Sequence, residues 1–177
     1  MMNSKIEILV PELIYDNLKI EIASGDINIE DIELNNADIN SKSGNIKLNK
    51  SKTADLDIVS GDITFDEIET GKITTVSGNI IGNNINDINA RTISGDIRIT
   101  NINKSCQLST TSGSTLISNL NVLNNSSIKT ISGDVRVLKG NDVYYDTSTV
   151  SGNIYVEKNN RFSKNELKIS TTSGNIY

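Results

Sequence analysis

Four aspartates follow a Ser-Gly pair at the same offset: Asp26, Asp62, Asp96 and Asp134. Carboxylates repeated in one context raise two chemistries, acid–base work on a glycosidic bond and binding of a divalent cation. Inverting hydrolysis needs its two carboxyl groups about 6.5–9.5 Å apart. If equivalent residues stack at the spacing of paired strands, Asp62 and Asp96 lie about 9.6 Å apart, just past that window. The same separation recurs along the column, so no pair stands out as a catalytic dyad. Calcium-binding β-rolls use several glycines per turn, and 12 glycines in 177 residues do not supply them. Histidine is absent, which removes the usual general base and the commonest metal ligand. Cys106 is alone, so there is neither an internal disulfide nor a cysteine metal site, and it reads as a small buried hydrophobe. The expectation is a protein that is not an enzyme and carries no metal or cofactor.

A second set of residues suits binding. Four residues past each serine the chain reads Asn28, Lys47, Thr64, Ile81, Arg98, Leu116, Arg136, Tyr155 and Tyr177. From Ile81 onward this column is apolar, arginine or tyrosine without a break. Recognition surfaces favour Arg and Tyr flanked by aliphatic side chains. Stacked in chain order, Arg136 would lie over Tyr155 and Tyr155 against Tyr177. The plainer alternative is a set of cross-strand contacts that only stiffens one face. Ile81, Arg98, Leu116, Arg136, Tyr155 and Tyr177 are therefore the candidate binding residues.

Both columns exist because the sequence repeats. Ser-Gly recurs at Ser24, Ser43, Ser60, Ser77, Ser94, Ser112, Ser132, Ser151 and Ser173, at spacings of 19, 17, 17, 17, 18, 20, 19 and 22 residues. A period near this length signals a solenoid. The coils are rich in Ile, Val, Thr, Asn, Asp and Ser, which favours strands over helices. Counting from each serine, position +3 is Ile or Val in every coil but one, where Thr115 stands. Position +5 is apolar except at Gly82, and position −4 adds Ile20, Ile39, Leu56, Ile73, Leu108, Ile128 and Ile169. Ile32, Ile68, Ile85, Ile102 and Leu120 mark +8 in five coils. Apolar residues two apart describe a strand with one buried face, and these marks predict two to three short strands per coil. One coil cannot bury its apolar side alone, whereas stacked coils share a continuous core. The fold predicted is all-β: a single-stranded parallel β-helix of about nine coils, right-handed, forming a rod on the order of 45 Å long.

Ser-Gly-Asp/Asn is then the corner. Inward residues fall at even offsets before it and odd offsets after it, so the chain must turn there, and glycine supplies a positive φ. Whether −1 or −2 points inward stays open. Position +2 runs Asp26, Asn45, Asp62, Asn79, Asp96, Ser114, Asp134, Asn153 and Asn175, never with Asp in two neighbouring coils. Stacked carboxylates would repel, and an Asn or Ser between them can donate to both. This reads as a structural ladder.

A net charge of −5 without a run of Lys or Arg argues against nucleic acid. The first 23 residues, broken by Pro11, Glu12 and Asp16, resemble neither a signal peptide nor a membrane span, and are expected to form an N-terminal strand and cap. The whole of 1–177 is expected to be one domain. The polar stretch 157–168 holds Arg161, Phe162 and three lysines and is expected to protrude near Tyr155. The rung ending at Tyr177 is expected to be an unpaired edge, open to self-association.

The run "VPELIYDNLKIEIASGDINI" followed by "VSGDI", "ISGDI" and "ISGDV" resembles a bacterial domain of unknown function that carries an adhesin label. In that family a strand and a proline lead into a stack of SGD[IV] coils. The likeness extends from Lys5 to Tyr177. It implies a β-helix in proteins linked to the cell envelope or cell surface, some of them beside envelope-stress systems, and it implies no catalytic residues. A surface scaffold recognising a glycan, peptide or protein is the leading expectation. An intracellular interaction module and a carbohydrate-active enzyme follow.

Overall fold

The computed structural model describes residues 11, 13–156 and 160–177. Eleven strands, all paired in parallel, form one sheet wound into a β-solenoid of about nine turns, with no helix among the described residues. The strands are β1 (Ile14–Ile22), β2 (Ile27–Ser43), β3 (Ile46–Ser60), β4 (Ile63–Ser77), β5 (Ile80–Ser94), β6 (Ile97–Ser112), β7 (Thr115–Leu120), β8 (Ser126–Ser132), β9 (Val135–Gly140), β10 (Tyr144–Ser151) and β11 (Glu166–Ser173). Of the expected cap, residues 1–10 and 12 lie outside the described part, as do 157–159 of the expected protrusion.

The coils are smoother than the alternation predicts. Instead of two or three short strands, each of β2–β6 is one strand of 15 to 17 residues that bends without losing its ladder. The next two coils hold two short strands each as predicted, β7 with β8 and β9 with β10. In β4 the inward residues are Ile63, Phe65, Ile68, Gly71, Ile73 and Thr75. Steps of two belong to flat wall, and the two steps of three mark the bends. Coil-length differences are absorbed locally. The 19-residue first coil shifts register between Ile29 and Glu33, where Asp31 takes a φ of 57°, and the 18-residue coil of β6 shifts opposite Ile85 and Asp87.

The predicted core columns are buried. At +3, Ile46, Ile63, Ile80 and Ile97 are fully enclosed, each contributing about 1.5–3 kcal/mol by leaving water. Gly82 interrupts the +5 column because the Phe65 ring of the neighbouring rung fills its space: a Cβ there would sit 2.1 Å from the ring. At the corner, −2 points inward and −1 outward. Thr75, Thr92, Thr110 and Thr130 are buried, while Val59, Val76, Ile93, Ile131 and Val150 are exposed. The turn sets this direction, since Ile58 is inward there too. The threonine hydroxyls add bonds to the corner glycine carbonyl of the preceding rung: Thr92 to Gly78 and Thr110 to Gly95, each at 3.1 Å. A valine there would leave that carbonyl without its side-chain donor.

The corner demands glycine for two reasons. Gly61 has a φ of 142°, and a Cβ on it would meet the Gly44 carbonyl oxygen at 1.8 Å. Successive corners stack backbone on backbone with no room for a side chain.

At the far end the rungs leave chain order. The sheet runs β1-β2-β3-β4-β5-β6-β8-β11-β10, so the last strand inserts between β8 and β10. Ile169 of β11 pairs with Ile128 on one side and with Thr147 on the other. The same interleaving continues past the corner, where Ile176 bridges both Val135 and Ile154. The rung ending at Tyr177 is therefore internal and not the expected unpaired edge. Among the described residues the terminal strand is β10, paired on one side only.

Candidate functional site

The corner column forms a continuous hydrogen-bonded ladder. The Asn45 backbone N–H donates to Asp26 Oδ1 at 2.7 Å, Asp62 N–H to Asn45 Oδ1 at 3.0 Å, Asn79 N–H to Asp62 Oδ1 at 2.7 Å, and Asp96 N–H to Asn79 Oδ1 at 3.0 Å. Ser114 N–H donates to Asp96 and Asp134 N–H to the Ser114 hydroxyl. The ladder then follows the stack and not the chain: Asn175 N–H donates to Asp134 at 2.7 Å, and Asn153 N–H to Asn175 at 2.9 Å. Each side-chain oxygen satisfies a backbone amide that the turn would otherwise leave open. Asp62, Asp96 and Asp134 thus each spend one oxygen on the corner of the next rung, and neutral residues separate them. Among the described residues no group of three or more His, Cys, Asp or Glu is placed to hold a metal ion.

The outward column four residues past each serine is brought together over nine consecutive rungs, beginning with Asn28 beside Lys47 and Lys47 beside Thr64. Thr64 pairs with Ile81, Ile81 with Arg98, Arg98 with Leu116, and Leu116 with Arg136. Arg98 is tied back to the corner by an ion pair with Asp96 at 2.5 Å. Beyond Arg136 the inserted strand changes the order. The guanidinium lies over Tyr177, 4.6 Å from the ring centroid, and not over Tyr155 as chain order predicts. Tyr155 then stacks on the other side of Tyr177, with centroids 5.5 Å apart and ring planes within 10°. The backbone holds this register: Tyr177 N–H donates to the Val135 carbonyl at 2.9 Å, and Val137 N–H to the Tyr177 carbonyl at 3.0 Å. Arg136, Tyr177 and Tyr155 form a three-layer column whose outermost ring is 56% exposed.

Beside that column opens a groove of about 1110 Å³, lined by Arg136, Leu138, Lys139, Asp142, Tyr145, Tyr155, Val156 and Tyr177 among others. Asp142 is held by the Asn160 amide at 2.8 Å. Leu138 is 58% exposed along the groove. The sequence pointed to Arg136, Tyr155 and Tyr177 but not to Leu138, Lys139 or Tyr145, because those lie off the repeating column.

Residues 2–177 match the pattern of the Toastrack DUF4097 family. The chain belongs to that family. Toastrack DUF4097 is a β-solenoid-like family of unknown function. No curated protein and no solved structure matches the chain.

Two further features lie off the column. A shallower groove of about 690 Å³ runs along β1–β6 over the inward residues Ala37, Ala54 and Gly71, whose small size lets the wall press toward the core. Its rims carry Thr53, Thr70, Asp38, Asp55 and Lys72, and the Lys72 ammonium bridges to Asp55 at 2.9 Å. Cys106 is fully enclosed, and burial pushes its thiol up to about 12 despite a hydrogen bond with Ser126 that acts the other way. A thiol so held is a poor nucleophile.

Proposed function

We propose that the chain is a non-enzymatic recognition scaffold of the bacterial cell envelope, making its contacts through the Arg136–Tyr177–Tyr155 end of the outward column. One observation carries the reading: a guanidinium and two tyrosine rings, stacked in register, open onto a groove of about 1110 Å³. Tyrosine and arginine give large rigid contact area at low entropic cost, which is what binding surfaces use. The ladder aspartates, engaged with backbone amides, argue for structure over catalysis. The test is a panel of wall glycans and peptides against the domain and its Tyr155→Ala variant. The reading expects at least one ligand whose binding collapses in the variant while the circular dichroism spectrum is unchanged. A panel in which no bound ligand depends on Tyr155 would discard it. Protease shaving of intact source cells tests the location separately, since an outward-facing domain is cut while cytoplasmic markers survive.

A second reading, an intracellular module that pairs with another protein, has one observation in its favour. Among the described residues β10 ends the sheet with a neighbour on one side only, and unpaired strand edges are templates for further pairing. A dimer lost on replacing Thr147 with proline would favour it.

A further inference from the structure

The recognition reading leaves the ligand's chemistry open, and the charges around the groove narrow it. Arg98 spends its guanidinium on Asp96. Arg136, two rungs further on, has no carboxylate partner among the described residues; its recorded contact is the face of Tyr177. That contact holds the guanidinium against the ring and leaves its N–H groups free to donate. Lys139, exposed on the same groove, likewise has no carboxylate partner among the described residues. The acid of the lining, Asp142, accepts from the Asn160 amide and keeps its charge, so the two cations outnumber it by one. On a chain of net charge −5, the groove concentrates two unspent cations next to an exposed aromatic ring. Among the described residues, no ring or cation stacks on the face of Tyr155 turned away from Tyr177, and the residue is 56% exposed.

We propose that this groove binds an anionic saccharide, with a sugar ring resting on the free face of Tyr155 and its carboxylate or phosphate received by Arg136 and Lys139. The proposal rests on the recognition reading above and adds the ligand class. A planar aromatic face suits the apolar face of a pyranose ring. A guanidinium meets a carboxylate or phosphate with two parallel N–H donors, and contact with a ring limits where it can move. Exposed Leu138 and half-buried Val156 give the rest of the ring an apolar wall. An extended acidic peptide satisfies the cations but makes no use of the open tyrosine face, so the saccharide is preferred.

Calorimetric titration of the full chain with four probes tests this: a galacturonic acid trimer, the neutral galactose trimer, a glucose-substituted glycerol phosphate oligomer, and pentaglutamate. One or both anionic saccharides should bind at least about tenfold more tightly than the neutral trimer, the worth of one charge-assisted hydrogen bond. Which of the two binds distinguishes carboxylate from phosphate. Arg136→Gln should remove that advantage and flatten the salt dependence, while Tyr155→Ala should weaken binding about tenfold or more and Tyr155→Phe retain it. Equal affinity for charged and neutral trimers, with loss in Tyr155→Ala, would overturn the anionic assignment and leave the recognition reading standing. Pentaglutamate binding as tightly as either saccharide would overturn it in favour of a peptide. Binding of no saccharide would overturn it outright, and only a full panel without Tyr155 dependence would remove the recognition reading as well.

Discussion

The rungs of β3–β5 and those of β8, β11 and β10 are built from the same motif and behave differently. In the middle, each strand pairs with the next in the chain, every inward position is filled, and the corner ladder advances one coil at a time. At the end, the last strand slips between two earlier ones, Ile154 at +3 is 41% exposed, and Val150 is 84% exposed. Regular stacking spends its side chains on one another and leaves little surface with unspent groups. Breaking chain order moves Tyr177 between Arg136 and Tyr155 and opens a groove beside them. The repeat makes the rod, and the departure from it makes the candidate site.

The sharpest way to break this contrast is at the corners. Gly61→Ala places a Cβ 1.8 Å from the Gly44 carbonyl, whereas at Gly25 the nearest atom is an Ile22 methyl at 3.7 Å. Both carry positive φ, so both variants suffer, but Gly61→Ala should lose more than about 4 kcal/mol or fail to fold, while Gly25→Ala loses about 1–2 kcal/mol. Denaturant titration reads both. Equal losses would mean that the close stacking of corners is not what demands glycine.

Core truncations come next in size. Ile63→Ala, in the enclosed middle, should cost about 2–5 kcal/mol. Ile154→Ala, at the same offset in the terminal rung, should cost less than about 1 kcal/mol because much of its surface is already wet. A smaller gain is expected at Thr115. It stands where the other coils have Ile or Val, and its buried hydroxyl has no hydrogen-bond partner. Thr115→Val should therefore stabilise by about 1 kcal/mol, read as a raised unfolding midpoint. A loss would show that the hydroxyl has a partner in solution.

The pH effect of Cys106 is nil at neutral pH and shows only in alkali. The folded thiol holds its proton up to about 12, while the unfolded chain releases it near 9.0. The folded state binds more protons between those values, so this contribution to stability is complete below pH 9.0 and is lost as pH rises toward about 12. Iodoacetamide at pH 8 should leave the native protein unlabelled and label it on unfolding. Labelling of the native chain would mean that the mid-rod rung opens more readily than its packing implies.

Much of the fold was legible because its determinants are local and repeated. The isoleucines at +3, the alternation of Asp with Asn or Ser at the corner, and the glycines all state their roles within one coil. Thr75, Thr92 and Thr110 were harder: Val and Ile at −1 have the greater hydrophobicity, yet −2 is inward even at Ile58, and the threonine hydroxyls gain a bond to a glycine carbonyl of the neighbouring rung. Rung order follows the chain as expected from β1 to β8, but its break at the last rung was not legible. Nine nearly identical corners fit one another in any sequence, and Asp134 is followed by an asparagine whether Asn153 or Asn175 comes next. The candidate residues of the outward column were found by type and offset, but their contacts depended on that hidden order. Leu138 and Lys139 belong to no column and carried no signal.

One measurement tests the order of the end rungs and the site it builds together. Nuclear Overhauser contacts from the Tyr177 ring in labelled protein should reach the Arg136 side chain on one face and the Tyr155 ring on the other, with no direct contact between Arg136 and Tyr155. Direct Arg136–Tyr155 contacts, with Tyr177 touching Tyr155 alone, would place the last strand outside β10. That result would dissolve both the inserted rung and the stacked column on which the functional reading depends.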